Sequence, residues 1–374
     1  MISRAVGLVK SITKETKDIT QVIVEVAGND YPAVNFNEIT GTVSTGDKVL
    51  LNTTAVELNL GTGGSHFVMA NLTVPVDSRQ IAAEPGHIMK IRYTPNQIKV
   101  LSVEEQDSPY HDVMKDFRSL DNTPVVCCSL HSMLPAAAAA VKSYEKNLKV
   151  VYVMTDGAAL PIGLSRLVKK LKTKGLIDGT VTAGHAFGGD FEAVNIYSGL
   201  AAARAVLGAD VIIAGMGPGI VGTGTPLGFS GIEQAGIIHA AEALEGRPIA
   251  VLRLSFADAR ERHFGLSHHT RTTLAKAVLI PVYVSLPQID EKKQNFIIRQ
   301  MQESGITSKH KIVLEDGKPG LEFLEFHHIK VTTMGRSVLE EPEFFLAASS
   351  AGRTAAKIAT GGEIEFWEEK NQLT

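Results

Sequence analysis

The stretch Asp210–Ser230, DVIIAGMGPGIVGTGTPLGFS, passes from a β-branched apolar run straight into glycines. Val211, Ile212 and Ile213 predict a strand. Gly215, Gly217, Gly219, Gly222 and Gly224 predict a loop, and a helix-like segment starts near Gly231. Glycine enters left-handed conformations and lets other groups approach its amides closely. A glycine loop between a strand and a helix is where open α/β sheets commonly hold anionic small molecules. Thr223 and Thr225 join these glycines as candidate ligand-binding residues. The stretch points to a fold class and a kind of ligand, and names no reaction.

Around it, strand-like and helix-like segments alternate. The strands are Val125–Ser129, Lys149–Met154, Thr180–Ala183, Asp210–Ala214, Ile249–Leu254 and Pro281–Ser285. Between them lie Ala/Leu-rich segments of helix length: Pro135–Tyr144, Gly163–Lys172, Phe191–Val206 and Ile232–Leu244. Such alternation predicts βαβ units and a mostly parallel sheet, and near-continuous apolar strands predict cover on both faces. Lys311–Leu314 reads as a further strand and Glu341–Ala359 as a further helix.

Before Ser108 the character is different. Gln21–Val26, Lys48–Leu51, Ser65–Ala70 and His87–Tyr93 are short strand candidates, punctuated by Gly, Asn and Pro. Leu60–His66 is a second glycine loop, read as a hairpin or domain contact. At 374 residues the chain is long for one domain. The expected organisation is α/β. A small all-β domain, a barrel or sandwich, spans residues 1–110. A Rossmann-like, doubly wound, mostly parallel sheet spans 111–360, and a polar tail spans 361–374.

A formal charge of −3 gives no electrostatic case for nucleic acid. No segment approaches the roughly 18–20 apolar residues of a membrane span, and the N-terminus lacks the apolar core of a signal peptide. The two cysteines, Cys127 and Cys128, are neighbours in a strand and point to opposite faces, so no disulfide framework is indicated. A cytoplasmic protein is expected, with a homo-oligomer left open.

In an open α/β sheet the strand C-termini share one edge, where ligands bind at a change in strand order. Most strands here end in a conspicuous loop, and these loops should converge. His131-Ser132, Thr155-Asp156-Gly157 and Gly184–Asp190 follow the first three strands, and the glycine loop follows the fourth. Ser255–His269 follows the fifth and packs Asp258, Arg260, Arg262, His263, His268 and His269 into a short span.

Each has an ordinary reading beside the functional one. Gly217-x-Gly219-x-x-Gly222 matches a dinucleotide pattern, but extra loop precedes the helix and the next strand runs into Arg253 rather than an acid, so nicotinamide is not expected. Asp190 is a natural helix N-cap, yet it can also carry charge beside His185. His185 suits proton transfer near neutral pH. Asp156 is a turn residue or a catalytic carboxylate. His131 caps a helix or binds ligand. The Ser255–His269 span is a solvated charged loop with Ser267 as a helix N-cap, or an anion clamp with Arg260 and Arg262 as its cations. Alternatively it is a divalent metal site on His263, His268 and His269, although no standard metal spacing is present.

Several blocks resemble one family. They are GDKVLLNTTA at Gly46–Ala55, LGTGG at Leu60–Gly64, VMTDGAALP at Val153–Pro161 and TAGHAFGGDFEAVN at Thr182–Asn195. MGPGIVGTGTPLGFSG at Met216–Gly231 and SFADARERHFGLSHHT at Ser255–Thr270 complete the set. The family is a bacterial domain of unknown function numbered three-eight-six-six. The resemblance implies a complete bacterial protein and brings no activity or catalytic residue with it.

The residues themselves support an enzyme, a transferase or hydrolase, acting on a small anionic, phosphorylated or nucleotide-like molecule. His185, Asp156 and Asp190 are its catalytic candidates. Gly215, Gly217, Gly219, Gly222, Thr223, Gly224, Thr225, His131, Asp258, Arg260 and Arg262 are its ligand-binding candidates. The rival readings are a metabolite sensor or assembly factor, and a metal-dependent hydrolase.

Overall fold

The computed structural model describes residues 2–61, 63–73 and 85–368. Thr62 of the Leu60–His66 loop and residues 369–374 of the polar tail lie outside them. The chain forms two compact units, Met1–Leu101 and Ser102–Thr374. Among the described residues, no helix is long and apolar enough to cross a membrane.

In the first unit β1 (Arg4–Glu15), β2 (Ile19–Val26), β3 (Asn29–Phe36), β4 (Lys48–Asn52) and β5 (His66–Asn71) close a barrel in the order β1-β2-β3-β5-β4. Closure falls to β1, which pairs with β4 through Arg4–Leu8 and with β2 through Leu8–Glu15. Register shifts at Val9/Ser11 and Ile12/Lys14 bend it enough to serve both neighbours. Val9, Val22, Val24, Ala33, Val49, Leu51 and Val68 fill the interior. Single turns, α1 (Asn37–Thr40) and α2 (Thr54–Glu57), lie between strands, and a hairpin of β6 (Ile88–Lys90) and β7 (Ile98–Val100) follows. The strand expected over His87–Tyr93 is cut short because Ile91 and Tyr93 take positive φ, 52° and 59°.

The second unit opens with α3 (His111–Asp116), β8 (Pro124–Cys127), α4 (Leu134–Tyr144), β9 (Val150–Thr155), α5 (Arg166–Thr173) and β10 (Gly179–Ala183). It continues through β11 (Phe191–Ala193), α6 (Ile196–Ala205), β12 (Val211–Met216), α7 (Gln234–Ala243) and β13 (Arg247–Val251). Next come β14 (Leu254–Ser255), β15 (Gly265–Leu266), α8 (His268–Thr272), β16 (Tyr283–Pro287), α9 (Glu291–Glu303), α10 (Ile306–Lys309) and β17 (Lys311–Glu315). The chain ends on α11 (Lys318–Phe326), β18 (Thr332–Thr333), β19 (Arg336–Ser337), α12 (Pro342–Thr360) and β20 (Glu365–Phe366).

One sheet runs β11-β10-β9-β12-β8-β13-β16-β17-β20 and is parallel except for the pair β17–β20. Its strands are apolar on both sides because both sides are covered. Val125, Cys127, Val151, Val153, Ile212 and Ala214 pack with α6 and α7 on one face. Val126, Cys128, Val150, Tyr152 and Ile213 pack with α4 and α12 on the other. The adjacent thiols therefore sit in separate cores, both free. Burial pushes Cys128 up to about 12 and Cys127 well above its ordinary value, so both stay protonated. At the C-terminal end of two strands, the fully buried Gln234 amide donates to the carbonyls of Cys127 (2.7 Å) and Val251 (3.0 Å), tying β8 to β13.

The helix expected over Phe191–Val206 is in fact a strand and a helix. Phe191–Ala193 pairs parallel with β10, and the helix begins at Ile196. Its cap is Asn195, which forms a capping box with Ser198, and not Asp190.

Small residues let α11 and α12 approach α4 closely. A Cβ at Gly352 would overlap the carbonyl of Ala137, and one at Gly320 would meet Ala140 Cβ at 2.8 Å. Gly352→Ala should therefore destabilise the fold by about 1–3 kcal/mol through overpacking, outweighing the ~1 kcal/mol that alanine gains in helix propensity. Denaturant unfolding checks this, and an unchanged or raised midpoint would contradict the close contact.

Candidate functional site

The turns after β9, β10 and β12 touch one another on the C-terminal rim of the sheet. Asp156 Oδ2 accepts from the His185 amide (2.9 Å), and a Cβ at Gly184 would overlap that carboxylate. Gly184 takes φ +66°, a conformation suited to glycine. Ala159 N donates to Pro218 O at 3.0 Å, and a Cβ on Gly217 would stand 2.6 Å from Ala159 O. Asp156 and His185, both named from sequence, are thus brought together. Asp156 binds the His185 main chain, and the histidine side chain is half-buried.

Sequence reading missed Glu233. It ends a single 3₁₀ turn, Ser230–Glu233, which feeds α7. Its carboxylate accepts from Thr155 Oγ1 and lies where a Cβ of Gly157 would stand. Burial raises its pKa to about 7; the Thr155 hydrogen bond opposes the shift and the Asp156 charge adds to it. A carboxyl poised there can give or take a proton at neutral pH.

The strand order reverses between β8 and β12: the chain leaves β8 for α4 on one face and β12 for α7 on the other. That crevice is packed shut by the protein itself. A Cβ at Gly215 would press on Cys128 O at 2.9 Å, and one at Gly231 on Ser129 O at 3.0 Å. His131 is also committed. Its Nε2 lies 2.7 Å from Ser165 Oγ and its Nδ1 3.2 Å from Tyr152 Oη, which donates to the carbonyls of Gly215 and Met216. Burial holds His131 down to about 4, so it is neutral. Both ring nitrogens of this histidine thus have partners within the protein.

The neighbouring turn after β13 is cationic. Arg253 is only 6% exposed, and its Nη1 donates to His269 Nδ1 at 3.0 Å. A guanidinium only donates, so the proton of neutral His269 sits on Nε2. Phe229 stacks on that ring with centroids 3.9 Å apart. His263 Nδ1 lies 2.7 Å from Ser267 Oγ, and His268 Nε2 is buried without a partner. Burial first, then Arg253, holds His263 and His269 down to about 3. Burial likewise lowers His268. Each of the three rings offers a nitrogen within 4.8 Å of the others'.

The clamp expected of Arg260 is not there. Arg260 closes a two-pronged pair on Asp258 (2.8 and 2.6 Å), which holds that carboxyl well below the usual range. Arg336 serves Glu341 at 2.7 Å and approaches Asp258 at 3.6 Å. Arg253 is left with no carboxylate at ion-pair distance among the described residues. Burial, then the neighbouring Arg260, pulls it down to about 10. Arg271 Nε is likewise buried and unpartnered. Arg262 is exposed.

The glycine loop closes on itself. Gly222 pairs with Phe229, Thr223 N donates to Gly228 O (2.8 Å), and Ser230 N donates to Val221 O (3.0 Å). Thr223 and Thr225 hydroxyls bond each other at 2.9 Å, and Gly228 N donates to Thr225 Oγ1 at 3.1 Å. Gly219 and Gly224 turn the chain at φ +111° and +79°. The small hairpin uses much of its own polar capacity, and Gly222 faces His269, whose Nε2 would lie 3.5 Å from a Cβ there. Asp190 is elsewhere. Its carboxylate accepts from Thr180 N and Oγ1 (2.9 Å each) and pairs with Lys172 at 2.5 Å. Thr180 is three residues before the end of β10, roughly 10 Å along a strand, so Asp190 is remote from His185's turn.

The Glu233 environment has a pH signature. Its folded value, about 7, exceeds the ordinary 4.5. Its contribution to stability is therefore full below the unfolded value and is lost as pH rises through about 7. Glu233→Gln should flatten the fall in unfolding free energy between about pH 4.5 and 7. Denaturant titrations across that window check it, and parallel wild-type and variant curves would contradict the buried carboxyl.

No curated protein matches the chain. One family model does, over residues 32–352, described as "Protein of unknown function (DUF3866)". That span covers most of both units, so the chain belongs to this uncharacterised family.

Proposed function

We propose that this is a cytosolic bacterial enzyme, a transferase or hydrolase, whose Rossmann-like, doubly wound domain takes a small anionic molecule at its strand C-terminal rim. One observation carries the reading. Arg253 is buried, and its described partner is a neutral histidine in place of a carboxylate. Burying an unpaired charge is costly, and a bound phosphate or carboxylate would supply the missing negative group. Arg271 and the Nε2–H of His269 would add donors. The Gly222–Phe229 hairpin walls the site. Glu233, four positions beyond Phe229, is the proton-transfer group, with Asp156 and His185 ordering the turn beside it. Nicotinamide is not favoured, because α7 begins only at Gln234, well after Gly222.

A second reading rests on the three imidazoles, whose nitrogens fall within 4.8 Å. A divalent cation could bind them if Arg253 moved off His269. Its marker is one equivalent of zinc retained on purification, removed by chelator and lost in His263→Ala.

The anion reading is tested by thermal unfolding with inorganic phosphate, phosphomonoesters, carboxylates and divalent metals. A ligand at a hundredfold excess over its Kd should stabilise by about 2.7 kcal/mol. Arg253→Met should abolish the response while leaving ligand-free stability within about 1 kcal/mol, since the charge and its desolvation cost leave together. A screen flat for every anion, or an unaltered response in the variant, contradicts the reading.

A further inference from the structure

Beside the cationic turn lies a cavity of about 370 Å³ lined by Asp258, Ala259, Glu261, Phe264, Arg271, Phe296 and Gln300. The size falls within the range of about 300–1,000 Å³ for small-molecule sites. Two of its walls are phenyl rings that remain open to solvent: Phe264 is 40% and Phe296 36% exposed. They meet edge to face at 5.6 Å, and Phe256 backs them at 5.2 and 6.2 Å. Gly265 makes the closeness feasible, since a Cβ there would meet Phe296 at 2.5 Å and its φ is +71°. Gln300 is held in place, accepting from Leu266 N (2.6 Å) and donating to Phe264 O (3.2 Å). Arg271, whose Nε is buried with no acceptor, lines the same cavity. Its charge also acts on His268, so cavity and cluster are neighbours.

Exposed aromatic faces beside an unanswered guanidinium donor suit a planar ring that carries an acceptor atom. Aryl and heteroaryl groups gain from stacking or edge contacts with such rings. A purely aliphatic group would use neither the rings' quadrupole nor the Arg271 donor.

We propose that this cavity receives the aromatic or heteroaromatic part of the ligand whose anionic group lies on Arg253 and the histidine cluster. The inference rests on the anion reading above and narrows it to aryl or nucleobase-like anions. Phe264 and Phe296 hold the ring, and Arg271 serves both halves of the molecule.

Calorimetric titration of the full chain with inorganic phosphate, methyl phosphate and phenyl phosphate tests it. Phenyl phosphate should bind at least tenfold more tightly than methyl phosphate. Phe264→Leu and Phe296→Leu, which keep apolar bulk, should each reduce that preference at least threefold while leaving the affinity for inorganic phosphate unchanged. Thermal melts of both variants establish that they fold. Equal affinities for methyl and phenyl phosphate overturn the aryl cavity and leave the anion site standing. A preference for phenyl phosphate that survives both substitutions also overturns it. If no phosphate binds at all, the anion reading falls and this one with it.

Discussion

Eight neighbouring strands of the large sheet run the same way, and this parallelism governs the rest of the unit. Parallel neighbours need crossovers, and crossovers cover both faces with helices. The strand interiors then become apolar on both sides, which leaves the rims as the places where polar groups can gather. Each strand's exit turn falls on the same rim. Thr155, Asp156, His185, Gly217, Glu233 and Arg253 come from distant parts of the sequence and share that rim for this reason. The short β10–β11 connection obeys the same geometry by another route. Gly184 and Gly188, at φ +66° and +86°, reverse the chain without a helix.

Electrostatics then divides the rim. Next to β9, carboxyl groups dominate, and burial leaves Glu233 divided between its protonated and ionised forms near pH 7. Next to β13, arginines dominate. Asp258 and Glu341 pair with Arg260 and Arg336, and neither comes within ion-pair distance of Arg253, while burial and the surrounding arginines keep three crowded imidazoles neutral. The Phe229–Glu233 segment joins the two halves, with Phe229 stacked on His269 at one end and Glu233 against Thr155 at the other. An anion lying on the arginine side would have an acid–base group within the same loop system.

Much of the fold was legible because burial imposes pattern. Apolar runs such as Val150–Met154 and Val211–Ala214 could only be covered strands, and the punctuated N-terminal segment could only be β. Short or weakly patterned elements were not legible. Phe191–Ala193 is too brief to show a two-residue period, so Gly-Gly-Asp before an Ala-rich run read as a helix cap. α9 buries only Ile297 and Met301, a thin apolar stripe in a polar segment. At the site, Asp156 and His185 were visible as polar residues at strand ends. Glu233 was hidden by its own context: Ser230-x-x-Glu233 matches a capping box, and only the contact with Thr155 shows otherwise. Arg260 misled because Asp258, two residues earlier, consumes its donors. No feature of the sequence announced that Arg253 would be buried away from any acid.

The most direct test of the account is where a heavy oxyanion lodges. Crystals grown with tungstate, a phosphate mimic with strong anomalous scattering, should show a peak within hydrogen-bonding reach of Arg253 and the His268–His269 pair. A peak confined to the glycine hairpin or to surface lysines, with Arg253 still donating to His269 alone, would contradict an anion site built on this buried guanidinium.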